Sequence, residues 1–319
     1  MFKMVIGFGV CICLVAMGSA VPVHAAKRVL YVDSYHSGYE WSDGILEGIR
    51  SVLDNSDIDL KIFHMDTKRN PDESYKKSAA LRAKELIASF QPDVVIASDD
   101  NASKYLIMPY FKDAGLPFVF CGVNYNADEY GFPYSNVTGM LEVPPALKLV
   151  YSLKYFKRIV TVGYLASDTL TERKDGSYTK RDVREDYIEN YVKTFDQWKM
   201  AFNQLQNRVD VLIVGNNAGI KGWDDAEAKR FALENTRIPT GCLLDWMAPV
   251  AFLGATRSAT EQGAYAATTA LKILNGTSPS MIPIVGNTQA NIIINMKIAK
   301  KLGLKIPKSF IKIASRLIE

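Results

Sequence analysis

Ser34, Tyr35, His36, Ser37, Tyr39, Glu40 and Trp41 fall between an apolar run ending at Val32 and an amphipathic run beginning at Ser42. Hydroxyls, an imidazole and aromatic rings so close together suit the capture of a small molecule. Ser34 can donate or accept, and its loop precedes a helix N-terminus, which favours a ligand carboxylate or phosphate. Tyr35, Tyr39 and Trp41 can stack on a planar group or hold a cation. The arrangement recurs. Val94–Ala97 opens into Ser98-Asp99-Asp100-Asn101, and Leu116–Cys121 opens into Gly122-Val123-Asn124-Tyr125. Val209–Val214 opens into Gly215-Asn216-Asn217, and Ile238–Leu244 into Asp245-Trp246. Asp99, Asp100 and Asp245 can accept hydrogen bonds from an amine, while Asn124 and Asn216 can donate and accept. One of Asp99 and Asp100 is expected to cap the following helix and the other to face ligand. The expected ligand-binding set is therefore Ser34, Tyr35, Tyr39, Trp41, Asp99, Asp100, Asn124, Asn216, Asp245 and Trp246.

Other chemistries find no support in the same residues. After residue 25 the chain has two histidines, His36 and His64, and no Cys/His cluster at zinc-ligand spacing. No metal or cofactor is expected. Cys121 with His36 and an aspartate would be the parts of a hydrolase, but Cys121 sits inside an apolar run without a nucleophile elbow, so no enzyme is expected. His36 reads as a loop hydrogen-bonder. There is no GxGxxG and no P-loop. Gly44 and Gly48, four apart on one helix, suit close packing against a sheet instead. Cys121 and Cys242 each lie in an apolar strand, in different halves, and read as two buried free thiols.

The loops need elements to hold them. Strands are expected at Arg28–Val32, Leu60–His64, Val94–Ala97 and Leu116–Cys121, alternating with helices. The first helix starts at Ser42, and the second has Asn70 as its cap and Pro71 at its first position. Such βαβ alternation argues for a parallel sheet with right-handed crossovers. Residues 126–143, rich in Gly, Asn, Tyr and Pro, break the rhythm around a short strand at Asn136–Leu141. The pattern restarts at Arg158–Leu165. Ser167–Glu185 is polar, without clear periodicity, and reads as an exposed loop or excursion. Strands then follow at Val209–Val214, Ile238–Leu244 and Ala290–Ile294, with a capping box at Ser258-Ala259-Thr260-Glu261.

Residues 1–25 read as a signal peptide: Lys3 gives a positive start, Met4–Met17 is apolar, and Val23-His24-Ala25 is a cleavage pattern. Maturation near Ala25 into the periplasm is expected. The whole chain has 38 basic and 34 acidic residues, and removal of Lys3 leaves 37 against 34. That balance is too weak and too mixed for nucleic acid.

The chain's ending resembles a known family. Ala270-Leu271-Lys272-Ile273-Leu274-Asn275-Gly276, then Asn295 before Ala299, then Gly303-Leu304-Lys305-Ile306-Pro307, is similar to the close of ABC-transporter substrate-binding proteins. The branch is the one that includes tryptophan- and tyrosine-binding members, and the resemblance spans roughly residues 28 to 316. It implies a two-lobed type I periplasmic-binding-protein fold, each lobe a mainly parallel sheet flanked by helices. The lobes are expected at 27–141 with 257–282 and at 142–256 with 283–319. A small-molecule ligand in the cleft and an ABC permease as partner are implied. Ser34–Trp41, Ser98–Ala102 and Val119–Asn124 also look like input domains of bacterial sensor kinases and diguanylate cyclases. That second resemblance implies an alternative partner, a membrane sensor protein. The chain departs from the amino-acid-binding branch at Asp99-Asp100, where small neutral residues are expected.

Overall fold

An unbroken apolar strand buries both its faces only inside a covered sheet, and Val29 to Val32 are fully buried. The computed structural model describes residues 1, 26–54 and 56–319. Apart from Met1, the expected signal peptide lies outside the described residues. The first lobe begins with β1 (Lys27–Asp33), α1 (Glu40–Leu53), β2 (Ile58–His64), α2 (Glu73–Phe90) and β3 (Val94–Ser98). α3 (Asp99–Ala102), a π-helical turn at Ser103–Ile107, α4 (Met108–Tyr110), β4 (Phe118–Asn124) and β5 (Val137–Glu142) continue it. The second lobe holds α5 (Ala146–Lys154), β6 (Thr161–Ser167), α6 (Leu170–Asp182), β7 (Asp186–Val192) and α7 (Phe195–Leu205). It goes on through β8 (Val211–Val214), α8 (Asp225–Asn235), β9 (Thr240–Cys242) and β10 (Leu253–Thr256). α9 (Ala259–Leu274) and β11 (Val285–Gly286) return to the first lobe, and β12 (Asn291–Asn295), α10 (Met296–Lys301), α11 (Lys308–Ile313) and β13 (Ala314–Ile318) complete the second.

The first sheet runs β11-β5-β4-β3-β1-β2 with every pairing parallel. The second runs β13-β12-β10-β9-β8-β6-β7, parallel except for β10 against β12. Each sheet has an apolar cluster on either face. Cys121 and Cys242 are both free and buried, one in each sheet.

The chain crosses between lobes after Glu142, after Thr256 and again after Gly286. The last crossing comes a few residues later than the expected 283, because β11 pairs with β5. Ser167–Glu185 is not a loop: most of it is α6. Its buried face is Glu172, Gly176 and Thr179, so no apolar stripe announces it. β7, at the edge of the second sheet, follows directly and pairs with β6. Ser42 does not cap α1 but lies inside it, buried. α2 begins at Glu73, two positions past Pro71, and Asn70 instead donates to Asp66.

Gly44 and Gly48 pack against α9 and not the sheet. A Cβ on Gly48 would meet the Thr260 carbonyl oxygen at 2.2 Å, and one on Gly263 would meet that of Ile45 at 1.9 Å. Backbones this close leave no room for any other residue type. The contact holds the first turns of α9 against the middle of α1.

Candidate ligand-binding site

Asp33, at the carboxyl end of β1, organises the first wall. Its buried carboxylate accepts from the Ser42 hydroxyl at 2.8 Å, the Tyr35 N–H at 3.1 Å and the Ser98 hydroxyl at 3.3 Å. His64 Nδ1 pairs with it at 2.8 Å. These bonds tie the ends of β1, β2 and β3 together and orient the loop that follows β1. Ser34 belongs to this bracing. It is fully buried, donates to the Ser98 carbonyl at 2.5 Å and accepts from the Ala102 N–H at 2.9 Å. Its hydroxyl is committed within the protein, so Ser34 is withdrawn from the expected ligand contacts.

Asp99 opens α3 with φ +67°, a conformation that L residues adopt at a cost and that concentrates at functional sites. Neither Asp99 nor Asp100 caps the helix; Ser98 holds that position, without a side-chain cap bond. The Trp41 Nε1–H donates to Asp99 Oδ1 at 3.0 Å. Asp99 Oδ2 is buried with no hydrogen-bond partner. Burial raises the Asp99 carboxyl well above the usual carboxylate range, and neighbouring Glu142 and Asp33 raise it further. Gly122, at φ +71°, leaves room for the pair, since a Cβ there would stand 3.0 Å from Asp99 Oδ1. Asp100 turns away. It accepts from Asn124 Nδ2 at 2.6 Å and from the Tyr130 hydroxyl at 2.8 Å, bracing the loop after β4.

The two lobes enclose a cleft of about 1000 Å³. From the first lobe, Tyr35, Tyr39, Glu40, Trp41, Lys68, Asp99, Asn124 and Glu142 line it; from the second, Leu243, Leu244, Asp245 and Trp246. Tyr35 and Tyr39 meet edge to face at 5.3 Å, and the Lys68 ammonium lies 5.0 Å and 5.1 Å from their ring centres. Trp246 is 57% exposed, a large ring standing open in the opposite wall. Beside it, partial burial raises the Asp245 carboxyl, while Arg316 offsets that and Glu40, across the cleft, adds to it. At the crossings Arg257 Nε lies 3.0 Å from Glu142 Oε1, and Arg257 Nη2 is 3.9 Å from Asp175 Oδ1. Burial raises the Glu142 carboxyl against the lowering effect of Arg257.

The family model for ABC transporter substrate binding proteins matches residues 34–318. The chain belongs to that family. Among curated proteins, none matches it. Solved structures do. A ligand-free, open substrate-binding protein with adhesive properties from Clostridium difficile is 19% identical, with a TM-score of 0.71 over 92% of this chain and 99% of that one. An ABC domain from Streptococcus pneumoniae in complex with L-Trp is 18% identical, with a TM-score of 0.55 over the same shares. An ABC transporter solute-binding protein from Bradyrhizobium with bound Bis-Tris is 13% identical, with a TM-score of 0.56 over 88% of this chain and 85% of that one. These likenesses show the two-lobed α/β periplasmic-binding fold. No described helix is long and apolar enough to cross a membrane.

In this substrate-binding protein, Tyr35, Tyr39, Trp41, Asp99, Asn124, Asp245 and Trp246 converge on one cleft, whereas Ser34, Asp100 and Asn216 do not line it. Asn216 lies in the second lobe, where its side chain closes a turn by accepting from the Ala218 N–H and its own N–H donates to Glu172. Lys68, Glu142, Arg257, Thr260 and Asn291 also line the cleft and were not anticipated. Three of them were within reach of the rule that ligands lie beyond strand carboxyl ends. Lys68 follows β2, Glu142 ends β5 and Arg257 follows β10.

Proposed function

We propose that this protein captures a small amine-bearing molecule with a flat or apolar body between its lobes and delivers it to an ABC permease. Export to the periplasm and the absence of any chemical step are part of the reading: closure of the lobes is the output. The observation that carries it is Asp99 Oδ2, a buried acceptor without a partner in the wall of an aromatic-lined cleft. Such a group costs free energy until a donor reaches it. A ligand donor between the Tyr35, Tyr39 and Trp41 rings would relieve that cost. Asn124 on the same wall, and Asp245 and Trp246 opposite, would complete the contacts. A ligand that touches both walls binds the closed form better, and only that difference shifts the population.

Thermal-shift screening of amines, amino acids, nucleobases and small carboxylates, then calorimetry, tests this reading. Asp99→Ala and Asp245→Ala should each weaken the best amine, losing about 1.5–3 kcal/mol, or roughly ten- to a hundredfold in affinity. Wild-type affinity in both variants would contradict it. Similarity of Ser34–Trp41, Ser98–Ala102 and Val119–Asn124 to sensor input domains favours a second reading, with a membrane sensor as partner. Retention of the liganded protein by its permease in vesicles, as against a receptor, separates the two.

A further inference from the structure

We propose, building on the amine-capture reading, that the ligand is an organic cation that carries no carboxylate group. The cleft's ionisable lining is Glu40, Asp43, Glu47, Asp99, Glu142 and Asp245 against Lys68 and Arg257. The two bases are already engaged. Arg257 faces two carboxylates, Glu142 and Asp175, with a single charge. Its Nε stands 3.0 Å from Glu142 Oε1 without its N–H being aligned on that oxygen, and any anion approaching it would also approach those two acids. The Lys68 ammonium lies over the Tyr35 and Tyr39 rings and acts on Glu142, lowering its proton affinity.

Three backbone N–H groups around the helix starts are also taken. In the loop before α1, the Gly38 N–H donates to both oxygens of Asp43, at 3.0 Å and 3.1 Å. In α3, the Ala102 N–H is taken by the Ser34 hydroxyl. In α9, the Glu261 N–H is taken by Ser258 at 3.2 Å. Ser34 itself has no free group left for a carboxylate or phosphate, since its hydroxyl donates to the Ser98 carbonyl and accepts from the Ala102 N–H. What the cleft offers is the reverse: an unpartnered carboxylate oxygen on Asp99, further acids on both walls, and the rings of Trp41 and Trp246, whose faces attract cations. An α-amino acid would bring its carboxylate into this field. The corresponding amine would not.

The test compares matched pairs by calorimetry on the intact protein: tryptamine with L-tryptophan, agmatine with L-arginine, and putrescine with L-ornithine. The expected result is that at least one amine binds ten times or more tightly than its amino acid. Asp99→Asn, checked for folding by its melting curve, should remove most of that preference. An amino acid that binds as tightly as its amine overturns the proposal, as does failure of all three amines to bind. If scattering then shows the lobes closing on an amino acid or a neutral solute, the transport reading stands and only the cation assignment falls. If no solute in the wider screen closes the lobes, both fall.

Discussion

Among single residues, Asp99 combines a left-handed backbone, a buried carboxyl and one unfilled acceptor. Its proton affinity is raised in the folded state, chiefly by burial and then by Glu142 and Asp33. Between the ordinary carboxylate pKa and the raised one, the folded protein holds a proton that the unfolded chain has lost. Stability therefore falls as pH rises through that window. Asp99→Asn removes the slope, so its melting temperature should exceed wild type increasingly as pH rises above the ordinary carboxylate range. Recovery of 1 kcal/mol would correspond to about 2–4 °C. Cation binding favours the ionised carboxyl, so affinity should drop as pH falls, with proton release seen by calorimetry in buffers of different ionisation enthalpy. Equal pH slopes in the two proteins would count against this assignment. The residue types were legible in sequence where a loop follows a strand, which is how Asp99, Trp41 and Asp245, all of which line the cleft, were singled out. Their division of labour was not. Ser34 and Asp100 share loops with residues that line the cleft but point into the bracing, and only tertiary hydrogen bonds decide which way each turns.

At the scale of elements, the α1–α9 contact joins the binding wall to the rest of the first lobe. Ile45 and Thr260 carbonyls come so near Gly263 and Gly48 that a Cβ would strike backbone rather than a movable side chain. Gly263→Ala should cost about 1–3 kcal/mol in urea denaturation, because the helices must separate. Ala259 and Thr260 line the cleft at the start of α9, so ligand affinity should fall as well. Unchanged stability and affinity would mean that the helices can part freely. Most strands and helices were visible in sequence through their apolar runs and stripes. α6 was not, since Glu172, Gly176 and Thr179 form its buried face. Tyr164 donates to Glu172 at 2.8 Å there, so a polar contact does what an apolar stripe does elsewhere. β13 was missed for a related reason: Ala314–Ile318 is a half-exposed edge strand with little apolar periodicity.

On the scale of the whole molecule, the crossings decide whether two lobes can act as one clamp. Glu142 stands on the first crossing, Arg257 on the second and Asn291 at the end of the third, where its side chain donates to the Arg257 carbonyl at 3.3 Å. Away from the crossings, Tyr125 of the first lobe stacks on Tyr178 of the second at 4.5 Å, and Asn126 Nδ2 donates to the Tyr178 hydroxyl. Arg257→Ala leaves Glu142 nearly buried without its partner and should destabilise the protein by about 3 kcal/mol in the same urea measurement. The most direct test of the clamp itself is small-angle scattering with and without a saturating concentration of the tightest-binding amine. The saturated protein should have a smaller radius of gyration, a change that Asp245→Ala reduces at the same amine concentration. An unchanged radius of gyration at proven saturation would contradict it.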